Sequence, residues 1–136
     1  MTSPVLELRR AILAAAQADA ELVALMGGAL RLHDEPPRNA EPVYAVFGDV
    51  TASDWSTDTD RGHEQDLTLV VWSRPGSARD GLSAAERFAA ILHDAPLVLD
   101  NHRLVNLRVT RLVSARDKDT NLIRATLHLR AVTEVI

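Results

Sequence analysis

The last third of the chain constrains its fold most. From Arg103 to Arg116 side chains alternate. Val105, Leu107, Val109, Arg111 and Val113 fall on one side, and Leu104, Asn106, Arg108, Thr110 and Leu112 on the other. A charged run, Asp117-Lys118-Asp119-Thr120-Asn121, interrupts the pattern, which then resumes from Leu122 to Val132. There Ile123, Ala125, Leu127, Leu129 and Ala131 face one way, and Arg124, Thr126, His128 and Arg130 the other. A period of two is the signature of a strand with two unlike faces. The pair predicts a long antiparallel hairpin, apolar on one face and polar on the other.

Two more strands are expected upstream. Val43 to Val50 is rich in β-branched and aromatic residues, and Gln65 to Trp72 alternates Leu67, Leu69 and Val71 with Asp66, Thr68 and Val70. Residues 51–64 between them are polar and without apolar period, which predicts a long hairpin arm or a mobile loop.

Helices are expected over residues 4–17, from Asp19 to Met26, and from about Ser77 to His93. In the first, Ser3 is the expected N-cap and Pro4 the first helical residue. Val5, Leu6, Leu8, Ile12, Leu13 and Ala16 form its apolar stripe, with Glu7, Arg9, Arg10 and Gln17 polar. Gly27-Gly28 ends the second helix. The third starts at Ser77 or at the capping box Ser83-x-x-Glu86. Ala29–His33 is a short extended piece, and Pro36, Pro37 and Pro42 mark the loop 34–42. Leu97 to Asp100 leads into a turn at Asn101-His102. The order helix, strand, strand, helix, strand, strand predicts an α+β fold, an antiparallel β-sheet of about four strands with helices packed on one face. The 136 residues suit one domain, residues 1–136.

Composition narrows the function. The chain has no cysteine, so it has no disulfide, thiolate metal site or cysteine nucleophile. No run of 18 apolar residues predicts a membrane span. The start, Met1-Thr2-Ser3-Pro4, carries no secretory-signal pattern. A net charge of −4 argues against a sequence-independent grip on nucleic-acid phosphates.

Catalytic patterns are missing. The five histidines, His33, His63, His93, His102 and His128, form no metal-binding spacing and read as solvated or capping side chains. The carboxylates Asp49, Asp54, Asp58, Asp60, Glu64 and Asp66 include a faint D-x-D-x-G, but the residue closing a calcium loop would be Leu69. No nucleophile elbow, phosphate loop or dinucleotide fingerprint occurs. The chain is therefore expected to be no enzyme and to use no cofactor or metal. Trp72 is expected to cap the edge of the core. Trp55 has two readings, folded back on the domain or anchoring a partner surface.

An ordered set of features carries a resemblance. It starts with the first helix running into Ala18-Asp19-Ala20-Glu21-Leu22-Val23-Ala24-Leu25-Met26-Gly27-Gly28. Leu30-Arg31-Leu32 precedes Glu35-Pro36-Pro37, and Pro42-Val43-Tyr44-Ala45-Val46-Phe47-Gly48 precedes the loop with Asp54-Trp55. Leu67 to Ser73, His102-Arg103-Leu104-Val105 and a closing Arg130-Ala131-Val132-Thr133-Glu134 complete it. From about Leu6 to Thr133 the chain resembles the small tail-completion proteins of long-tailed phages, prophages and gene transfer agents, which are similar to the tail terminators of lambda-like phages.

The resemblance implies a structural protein of the virion, at the head–tail junction, assembled in the bacterial cytoplasm. It implies a hexameric ring that caps the tail tube, meets a head-side connector or stopper protein, and lets DNA pass without sequence-specific binding. It supplies no catalytic residues. Asp54, Trp55, Asp58, Asp60 and Arg61 match the projecting loop of the family and are the expected protein contacts. Another connector, a head-closure stopper, and a small-molecule binding module are the alternative readings. A deep apolar pocket in a monomer would favour the binding module.

Overall fold

The computed structural model describes residues 3–136; Met1 and Thr2, part of the start inspected for a secretory signal, lie outside them. The elements are α1 (Pro4–Gln17), α2 (Ala20–Leu25), β1 (Leu32–His33), β2 (Tyr44–Asp54), β3 (Gly62–Ser73), α3 (Ala78–Leu92), β4 (His102–Arg116) and β5 (Ile123–Val135). One sheet, in the order β1-β2-β3-β5-β4, carries α1 and α3 on a single face. The expected α+β architecture is present, with five strands where about four were expected. The extra strand is β1, which pairs parallel to β2 through Leu32↔Ala45 and His33↔Val46. Two residues are too short to show a period, and the lead-in is one backbone bond from Ala45 N–H to the Arg31 carbonyl, 2.7 Å.

The core lies between the sheet and the helices. Leu67, Leu69 and Val71 of β3 and Ala125, Leu127, Leu129 and Ala131 of β5 point at Leu8, Ile12, Phe88 and Leu92. Ser3 caps α1 by accepting the Leu6 N–H at 3.2 Å, and Pro4 takes the first helical place. Leu6, counted in the apolar stripe, is exposed instead, because it lies about 200° around the helix from Leu8. Asp19 caps α2 by accepting the Leu22 N–H at 2.9 Å. Gly27 and Gly28, at φ 89° and 98°, let the chain leave that helix, with Gly28 N–H donating to the Val23 carbonyl. Helix α3 starts after Ser77, so Ser83 is interior to it and the Ser83-x-x-Glu86 box caps nothing. Gly81 lets α3 approach β3, since a Cβ there would stand 2.6 Å from Ser73 Oγ.

Strand β4 departs from its expected faces. Extra residues interrupt its ladder with β5 between Leu104 and Asn106 and between Val109 and Arg111. Each bulge moves the following side chains to the other face. His102, Leu104, Leu107, Val109 and Leu112 therefore face the helices, while Val105 and Val113, assigned to the apolar stripe, are exposed. Trp72 is not at the core edge. It lies on the helix-free face, between Tyr44 and Arg124 in register.

Of the two alternatives for residues 51–64, the hairpin arm is present and the long loop is not, with only residues 55–61 outside the strands. Strand β2 continues to Asp54 and β3 begins at Gly62, with Thr51↔Asp66 through Asp54↔His63 in register. Residues 51–54 are exposed on both faces, so backbone pairing alone sustains a strand there and leaves no apolar period.

Arg87 of α3 clamps the start of α2. Its Nε and Nη2 donate to the two Asp19 carboxylate oxygens at 2.8 and 2.6 Å, and its Nη1 lies 3.1 Å from Glu21. The hydrogen bond from Arg87 holds the Asp19 carboxyl below its ordinary value of 3.8. A depressed carboxyl stabilises the fold above its unfolded value, and that contribution is lost as pH falls through the lower folded value. Arg87→Ala is therefore expected to lower the urea midpoint at pH 7. The gap to wild type narrows as the pH falls below about 4. Urea titrations at both ends of that range check this, and an undiminished gap in acid contradicts it.

Candidate functional site: the hairpin tip and the uncovered sheet face

All five expected contact residues sit at the β2–β3 tip. Local polar chemistry fixes its shape. Asp54 accepts the Ser56 N–H and hydroxyl at 3.2 and 2.6 Å, and these bonds hold its carboxyl below the ordinary value. Thr57 N–H donates to the Asp60 carbonyl at 2.8 Å, and Asp60 N–H returns to Thr57 Oγ1 at 3.1 Å. Trp55 N–H donates to the Gly62 carbonyl, and the Arg61 carbonyl accepts Val135 N–H from the end of β5. The tip is tied across its base and to the neighbouring strand.

Trp55 packs back on the domain and still leaves half of its surface open. Its ring lies over the Arg130 guanidinium, 5.5 Å from the centroid, yet it stays 50% exposed. Arg130 is itself held by Glu64, with Nε donating to Oε1 at 3.0 Å. Asp58 and Asp60 stand outward, with Arg61 beside them.

The carboxylates do not converge. Glu64 and Asp66 lie on the helix-free face, Asp49 at the β2 irregularity, and the tip aspartates beyond the strands. Among the described residues no three His, Cys, Asp or Glu side chains are grouped to hold a metal. A cleft of about 760 Å³ behind the tip is lined in part by Pro4, Asp54, Asp60, His63, His102 and Ile136. Most of the residues lining it are polar or charged, while the surface they expose divides about evenly between polar and apolar atoms.

His102 corrects the reading of the histidines as solvated or capping, and Glu7 corrects its placement on a polar face. Both are buried, at 4% and 6% exposure. The ring N–H of His102 Nδ1 donates to Glu7 Oε2 at 2.7 Å, and Asn101 N–H donates to Glu7 Oε1 at 2.6 Å. His93 behaves as a cap, its Nδ1 accepting Val109 N–H at 3.0 Å.

The helix-free face of the sheet is basic over β4 and β5. Arg108 stands opposite Arg130, and the second bulge sets Arg111 opposite His128 where unbroken alternation puts Thr110. Burial, and then Arg111, lower the His128 pKa below its ordinary value. Glu64 offsets the charge of Arg130, and Asp94 lies 3.9 Å from Arg108, which leaves Arg111 as the cation of this face without an acidic partner among the described residues.

The chain is thus a small α+β protein with a one-sided sheet, a tied acidic tip at one end and an uncovered face that is basic over β4 and β5. The family follows: the model of the tail completion protein gp17 family matches residues 10–134, and the chain belongs to that family. It is a structural protein of a phage-type tail, a component of the virion. Nothing among the curated proteins matches the chain. Among solved structures, a chain from the virion of a native gene transfer agent particle shares the fold with a TM-score of 0.87. The two are 28% identical, and the match covers 98% of this chain and 99% of that one. No helix among the described residues is long and apolar enough to cross a membrane.

Proposed function

We propose that the chain is the tail terminator. It closes as a hexameric ring on the finished tail tube and joins it to the head-side connector, with DNA passing through and no base-specific contact. The observation that carries this is the end-to-end likeness to a chain of a gene transfer agent virion, together with membership of a tail-completion family. The geometry supports it. A ring subunit presents two unlike surfaces to its neighbours, and the sheet offers a knob at one end and an uncovered face. Asp54, Trp55, Asp58, Asp60 and Arg61 make contact with a neighbouring subunit or the tube. The work of the protein is joining, without catalysis.

Light scattering on the purified chain, alone and with purified tail tubes, tests the reading. A ring-sized mass, or a chain that assembles only on tube ends, is the expected result. A chain that stays monomeric and ignores tubes overturns it.

A further inference from the structure

The ring reading leaves open which surfaces meet, and the charge distribution assigns them. We propose that the acidic β2–β3 tip of one subunit docks on the basic helix-free face of the next copy of the same chain. The inference rests on the proposed ring.

The receiving surface is a shallow groove of about 390 Å³, lined by Val70, Arg111, Val113, Arg124, Thr126 and His128. Its apolar floor is open, with Val113 at 41% exposure. Arg111 makes no ion pair or hydrogen bond among the described residues, and Arg124 has only a 3.8 Å approach to Asp117. One carboxylate, Asp49, lines the groove against these cations. The inserted surface has the complementary charge: Asp54, Asp58 and Asp60 against Arg61. Asp58 has no partner among the described residues, and the half-exposed Trp55 ring beside it adds an aromatic anchor.

Geometry makes the contact intermolecular. The tip joins β3 at Gly62, whereas the groove lies alongside Val70. At about 3.3 Å per residue that stretch of strand is roughly 26 Å long, far beyond an ion pair. A knob at one end of the sheet and a socket toward the other produce head-to-tail contacts, the kind that a closed ring requires. The net charge of −4 disfavours nucleic acid as the occupant of the groove.

The absence of cysteine permits a direct test. The double variant Asp58→Cys/Arg111→Cys, treated with a short bismaleimide, is expected to give a ladder of cross-linked species up to ring size, with tail tubes added if the wild type needs them. Either single variant has no cysteine across the contact and gives at most a dimer. Arg111→Asp and Asp58→Arg each weaken assembly about tenfold or more, and combining them restores it, which misfolding would not. A wild-type ring with no ladder, and variants that assemble normally, overturn this pairing and leave the terminator reading intact. A wild type that assembles under no condition overturns both. Loss of binding to a short DNA duplex in Arg111→Asp, with assembly unchanged, makes nucleic acid the occupant and overturns the pairing.

Discussion

Glu7→Ala is expected to destabilise the fold by about 2–6 kcal/mol, since each buried donor left unsatisfied costs about 1–3 kcal/mol. The truncation leaves two donors without their acceptor, the Asn101 N–H and the His102 ring N–H. That loss is a large share of the roughly 5–15 kcal/mol that holds a domain of this size together. The damage also has a direction. His102 pairs with Val135, whose N–H holds the Arg61 carbonyl at the base of the acidic tip. The variant therefore loosens the end of the sheet that presents Asp58 and Asp60. Urea titration gives the stability loss. Hydrogen exchange is expected to show the greatest loss of protection at residues 61–63 and 133–135. The double variant Glu7→Leu/His102→Leu is expected to be more stable than the sum of its single changes. Simple additivity contradicts a coupled pair.

Sequence made the pattern of α3, of β5 as far as Ala131 and of α1 beyond Glu7 legible, because there one face is buried steadily and the period survives. It failed where the period breaks or where the cause is distant. The two bulges in β4 swap faces twice, so Val105 and Val113 share a sequence stripe with Leu107 and Val109 but not a buried one. The outer ends of β2 and β3 carry a ladder without a core and look like loop. Glu7 and His102 are 95 residues apart, and each alone looks like an ordinary surface residue. That Asp54, Trp55, Asp58, Asp60 and Arg61 share one tip was visible because they lie close together in the chain. The groove was not, since it depends on strand order β3-β5-β4 and on one bulge that trades Thr110 for Arg111. Contact surfaces assembled from several strands at once are the part of function that a linear reading loses first.

Phe88→Ala is expected to cost about 3–5 kcal/mol, the range for truncating a fully buried aromatic ring. Phe88 is fully buried in the core that α3 shares with β3 and β5. The neighbours fill the space incompletely, because α3 is held close to β3 where Gly81 passes Ser73. Urea titration with an unchanged slope measures the loss, and a midpoint near the wild-type value contradicts the assigned core. Trp55→Ala provides the contrast. It removes a half-exposed ring and a contact with Arg130, worth about 0.5–1 kcal/mol at an exposed site. In the proposed ring, Phe88→Ala is expected to reduce assembly only in proportion to the folded fraction. Trp55→Ala stays folded and loses its place in the ring. Measuring stability and assembled mass on both variants therefore separates the residue that builds the sheet's support from the residue that uses it.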